Sequence, residues 1–101
     1  MAQQLTNAQT RYLRGLAHSL KPVIMVGAKG ITDNLLAELD GALTHHELVK
    51  VKFAVGDRDE RDAAVKQLVD ASKASLVQRI GNVACLYRRH PKKPQIILPK
   101  G

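Results

Sequence analysis

Gly27-Ala28-Lys29-Gly30 is the stretch of this 101-residue sequence best suited to hold a ligand. Two glycines without Cβ atoms can take positive φ and let a ligand come close to the backbone. Lys29 puts a cation at the tip. Thr32 and Asp33 then open a helix, whose first amides have no partner within it. Glycines, one lysine and helix amides together suit an anionic group such as phosphate. Asp33 weakens that case, because it already complements the helix dipole and a nearby phosphate would feel its charge. A plain strand-to-helix turn is the competing reading of the tetrapeptide alone, since loops are rich in glycine.

Catalysis has less to work with. Cys85 falls inside a strand pattern and reads as a buried structural thiol. His45 and His46 are adjacent, without the i, i+4 spacing that sets two imidazoles on one helix face for zinc, and no cysteine partner exists. The Gly-Ala-Lys-Gly-Ile-Thr run matches neither the phosphate loop of nucleotide hydrolases nor the dinucleotide fingerprint. No catalytic residue, metal, cofactor or small-molecule substrate is therefore expected. An RNA-acting enzyme with His18 or His46 as acid or base is the rival, unsupported by any convergent carboxylate or second histidine.

Charge points to a partner class. The formal net charge is +7, and all nine acids lie between Asp33 and Asp70. Residues 1–32 and 71–101 carry eleven Lys or Arg and no acid. Such asymmetry suits a polyanion, with nucleic acid ahead of an anionic membrane surface; a merely basic chain is the bland alternative. No apolar run approaches the ~20 residues that span a bilayer. Met1-Ala2-Gln3-Gln4 has no secretory character, and a lone cysteine fits a reducing compartment. A cytoplasmic protein without a membrane partner is expected. Tyr12, Phe53 and Tyr87 are the three aromatics, and Tyr12 and Phe53 lie on apolar stripes that read as core. A base-stacking platform is thus poorly supplied, so phosphate contacts and strong salt dependence are expected.

The elements that must position these residues follow from pattern. Thr6 to Gln9 is a capping box. It opens a first helix over Asn7 to Leu20, with Ala8, Tyr12, Leu13, Leu16, Ala17 and Leu20 as its buried stripe. Arg11, Arg14 and His18 share another, wholly basic face, which alone could be a solvated surface. Lys21-Pro22 stops this helix. Val23 to Val26 reads as a strand. A second helix runs from Asp33 to about Thr44. Glu47 to Val55 alternates as a second strand, with Val49, Val51, Phe53 and Val55 towards helices and Lys50 and Lys52 on the other face. A third helix, capped at Asp57, runs to about Ser72. Leu76 to Ile80 and Val83 to Arg88 form a hairpin around Gly81-Asn82, suiting a type II′ turn. Residues 88–94 read as irregular and basic. Gln95 to Leu98 either adds an edge strand or docks as an apolar tail.

The ordered series of segments resembles the CRM domain (chloroplast RNA splicing and ribosome maturation), in its stand-alone bacterial YhbY-like form. The series comprises Leu5-Thr6 with Gln9, Arg11 to Pro22, Val26 to Asn34, His46 to Lys52, Val77 to Gly81 and Leu86 to Arg88. The resemblance implies a single α/β (α+β two-layer) domain, core about 5–88 and basic tail 89–101. Its order would be α-β-α-β-α-β-β with a four-stranded mixed sheet, similar to the C-terminal domain of translation initiation factor 3. The last strand would lie antiparallel between the second and third. It also implies an RNA-binding loop at Gly27, Ala28, Lys29 and Gly30, and a role in assembling the large ribosomal subunit. The expected footprint on ribosomal RNA adds Arg11, Arg14, His18 and Lys21, with Lys50 and Lys52 on a sheet face partly covered by the tail. A monomer is expected. The alternative is a module that docks on a protein of the particle through the apolar tail.

Overall fold

Residues 4–54 and 56–100, which the computed structural model describes, form three helices and four strands. In chain order these are α1 (Asn7–Ala17), β1 (Pro22–Val26), α2 (Asp33–His46), β2 (Leu48–Phe53), α3 (Arg58–Ser72), β3 (Ser75–Ile80) and β4 (Val83–Tyr87). Val55, expected on the second strand, lies outside the described residues.

Every helix starts at the cap its sequence supplies. Thr6 Oγ1 accepts from the Gln9 N–H, and Gln9 Oε1 accepts from the Thr6 N–H, both at 3.1 Å. Thr32 Oγ1 accepts from the Leu35 N–H at 3.1 Å, and Asp57 Oδ1 accepts from the Glu60 N–H at 2.9 Å. Each such cap stabilises by about 1 kcal/mol. The ends differ more from expectation. α1 stops at Ala17, three residues short of Leu20. There the Leu20 N–H donates to the Ala17 carbonyl, an i to i+3 bond of 3.0 Å that tightens the chain ahead of Pro22. α2 continues past Thr44 to His46 and is broken by Glu47 at φ +64°. α3 ends on Lys73, which takes the left-handed conformation at φ +59°.

The sheet order is β1-β2-β4-β3. β1 and β2 are parallel, and β4 runs antiparallel between β2 and β3. This is the mixed four-stranded arrangement expected. Gly81 has φ +58° while Asn82 has no positive φ, as a type II′ turn requires.

Two cores lie on opposite sides of the sheet. Ile24, Val26, Val49, Val51, Phe53, Ala84 and Leu86 face Leu39 and Leu43 of α2 and Val65 and Leu68 of α3. These two helices and the sheet make the expected two layers. α1 lies across the other face, where Leu13 and Ala17 pack with Leu48, Val77, Cys85 and Tyr87. Its buried stripe is narrower than the sequence pattern: Tyr12, Leu16 and Leu20 are 43%, 36% and 37% exposed. Tyr12 is therefore not a core residue. The helix packs on β2, β3 and β4, which leaves β1 uncovered beside it.

The tail after β4 forms no strand. Ile96 and Leu98 pack on the α1-side core. Glu47 holds them there: its buried carboxylate accepts from the backbone N–H groups of His90 (2.8 Å), Gln95 (2.7 Å) and Ile96 (2.7 Å). Burial opposes the charge on Glu47, but these three donors and the neighbouring His90 outweigh it and hold the carboxyl below its ordinary value. Arg88 ties the opposite layer. Its guanidinium donates to the carbonyls of Ser72 and Asp40 and to Thr44 Oγ1, and pairs with the Asp40 carboxylate at 2.8 Å.

Candidate nucleic-acid interface

The parallel ends of β1, β2 and β3 share one rim of the sheet, and the loop Gly27–Gly30 leaves that rim from β1. It closes as a tight turn, with the Gly30 N–H donating to the Gly27 carbonyl at 2.9 Å. Gly30 has φ +71°, which favours glycine; Gly27 does not take a positive φ. Nothing lies within 4 Å of where a Cβ on Gly27 would stand. No packing inside the chain therefore demands glycine there, whereas a close external ligand would. Ala28 and Lys29 are exposed at the tip.

On the α1 side, register sets the neighbours. Lys50 of β2 pairs with Cys85 of β4, which pairs with Gln78 of β3; Lys52 pairs with Val83, which pairs with Ile80. Met25 of β1 lies beside Lys52. His18, just past the end of α1, lines a small cavity with Lys50, Gln78 and Cys85. Two strand spacings, about 10 Å, separate β1 from β4 beneath that cavity. Arg14 and Arg11 are exposed on the same helix, one and two turns back. Helix, lysines and loop thus frame one partly open face and its rim.

The electrostatics of the two sides differ. The two ion pairs between described side chains, Arg79 with Asp62 and Arg88 with Asp40, are made with α3 and α2. The hydrogen bond from Arg79, with the charges of Arg79, Arg58 and Arg61 adding to it, holds the Asp62 carboxyl below its ordinary value against the opposing effect of desolvation. By contrast Arg11, Arg14, Lys21, Lys29, Lys50 and Lys52 make no ion pair among the described residues. Burial pushes the Cys85 thiol up, with Lys50 pulling the other way, so the thiol is kept in its unreactive form.

Three features of this face escape the sequence pattern. Val23 and Met25, read there as an apolar strand, are 56% and 59% exposed because the side chains alternate and only Ile24 and Val26 reach the core. Leu16 and Leu20 are similarly left facing outward. Glu47, read as a strand start, anchors the tail; its one signal is an acid set within the apolar and basic run His46 to Lys52.

Comparison with known proteins follows the same line. A model of the CRS1 / YhbY (CRM) domain matches residues 5–88. A Haemophilus influenzae protein named RNA-binding protein is 44% identical over 96 residues, covering 95% of this chain and 96% of its own. A Pseudomonas aeruginosa protein named a probable RNA-binding protein is 46% identical over 88 residues, covering 87% and 85%. The solution structure of the Staphylococcus aureus protein SAV1595 superposes with a TM-score of 0.80 at 35% identity, over 95% of this chain and 100% of that one.

Proposed function

This chain belongs to the CRS1 / YhbY (CRM) domain family, and from that premise we propose that it is a non-enzymatic RNA-binding protein of ribosome assembly. Its target is structured ribosomal RNA in the precursor of the large subunit. Gly27, Ala28, Lys29 and Gly30 receive a sugar-phosphate chain at the rim. Arg11 and Arg14 extend the contact along α1, His18 and Lys21 continue it through the turn that follows, and Lys50 and Lys52 carry it across the sheet.

The observation that carries this reading is the set of cations on the loop and the α1 side without a carboxylate partner among the described residues. Each is free to replace a counterion on a phosphate, which is the main source of RNA affinity. The docking alternative through the apolar tail has less support. Ile96 and Leu98 pack inward on the chain's own core, leaving Ile97 as the exposed member.

Binding of the variant Ala28→Asp with Lys29→Asp to precursor-subunit RNA tests the loop. Two negative charges at the tip are expected to weaken binding at least tenfold without moving the urea midpoint, since both side chains are exposed. Unchanged affinity in the folded variant sinks the loop assignment. In the same assay Arg11→Gln with Arg14→Gln should flatten the salt slope by about 1.4, at ~0.7 per single-strand phosphate.

A further inference from the structure

A cavity of about 470 Å³ opens between the C-terminal half of α1, the start of β1 and the tail. Leu16, Leu20, Val23, Leu48 and Ile96 supply apolar wall. Lys21, Lys50 and His46 also line it, and among the described residues no carboxylate does. We propose that this cavity takes one unpaired nucleobase of the bound RNA, with Lys21 and Lys50 on the flanking phosphates. The inference rests on the RNA-binding reading above and adds to it the kind of RNA: one that offers a nucleotide free of pairing.

Size and chemistry agree on that occupant. Cavities of about 300–1,000 Å³ hold compact ligands rather than whole helices. A nucleotide joins a flat, weakly polar ring to an anionic linkage, and this site joins aliphatic walls to two ammonium groups. An apolar peptide segment would leave both ammonium groups without partners, whereas an RNA strand uses them. The His46 imidazole is the one aromatic ring among the described lining residues, so the base is held mainly between aliphatic walls, without a platform of Phe, Tyr or Trp. Polar atoms for its edge are present too. The Ser19 hydroxyl donates to the Leu16 carbonyl at 3.3 Å and keeps lone pairs for an amino group.

The cavity is also pre-formed. Ile96, which supplies the tail's side of the wall, is pinned through its own N–H to the buried Glu47 carboxylate at 2.7 Å. Two residues just outside the cavity, on β1 and β2, repeat its character, since exposed Met25 stands beside Lys52. Apolar surface left open among unpaired cations is where an RNA base gains burial while its backbone gains charge contacts.

The test uses the full chain and two hairpin RNAs of equal length, one fully paired and one with a single bulged nucleotide made in turn with each base. The bulged hairpin is expected to bind at least tenfold tighter. Leu20→Ser with Val23→Ser, both at exposed positions, should bring that ratio below about twofold while affinity for the paired hairpin stays within twofold. 2-Aminopurine at the bulge should report the same loss as a changed fluorescence on binding. Equal affinity of the two hairpins, or a preference that survives the double variant, overturns the proposal while leaving the RNA-binding reading intact. Failure of both hairpins and of precursor-subunit RNA to bind overturns that reading and this one together.

Discussion

Under α2 and α3, twelve buried apolar side chains close the sheet against two helices. Under α1 and the tail, six do so, and Val23, Met25, Leu16 and Leu20 stay open beside unpaired lysines. Both faces belong to the same four strands, so the difference comes from what is laid over them. Two helices of fourteen and fifteen residues cover the first face. One helix of eleven residues, set over β2, β3 and β4, covers the second incompletely and hands the rest to a tail held by hydrogen bonds. Buried apolar packing is concentrated on one side, and exposed apolar and cationic surface on the other.

The largest test of that contrast is a truncation on each face. Phe53→Ala, on the closed side, should cost about 3–5 kcal/mol in urea unfolding. Met25→Ser, on the open side of the neighbouring strand, should stay within about 0.5 kcal/mol. Similar losses for both would break the comparison.

The tail anchor comes next. Glu47→Ala removes the buried acceptor of three part-buried backbone hydrogen bonds and should lose about 2–4 kcal/mol. Its pH dependence has a fixed sign. The folded carboxyl titrates below its ordinary value of 4.5, so the ionised form favours the folded state. That stabilisation is complete above the unfolded value and disappears as pH falls through the folded one. Urea midpoints of the chain and of Glu47→Gln should therefore differ most at neutral pH and converge as pH is lowered below 4.5. A gap that persists in acid would assign the anchor to packing instead of charge.

Tyr87→Phe should have the smallest effect. Tyr87 is fully buried on the α1 side, yet its hydroxyl has no hydrogen-bond partner among the described residues. Burial, with the Glu47 charge adding to it, raises its pKa, so the phenol is neutral and its removal disturbs no ion. A change within about 1 kcal/mol of zero, in either direction, is expected. A loss of several would reveal a polar contact that helps close this face.

Much of this was legible in the chain, for local reasons. Thr6, Thr32 and Asp57 carry cap chemistry that acts within three residues, and each starts a helix. Gly81-Asn82 sets a hairpin because its backbone demands are met in two residues. The alternation of Val49, Val51 and Phe53 against Lys50 and Lys52 gave the correct sides of β2. What stayed hidden depends on distant parts of the chain. The apolar stripe of α1 could not reveal that Tyr12, Leu16 and Leu20 lack a partner, because their coverage depends on where the helix crosses the sheet. The apolar run of β1 masked an open face for the same reason. Glu47 binds amides more than forty residues away, which no local pattern records.

Glu47 also bears on how this protein could be engineered. A common stabilising recipe replaces side chains that sit at positive φ with glycine, and it would nominate Glu47 and Lys73 together. At Lys73 the exchange relieves a strained helix end and removes an exposed side chain. At Glu47 it would ease the backbone and undo the fastening of the C-terminal segment. One geometric rule thus gives opposite advice at two sites, and the list of hydrogen bonds, not the dihedral angle, separates them.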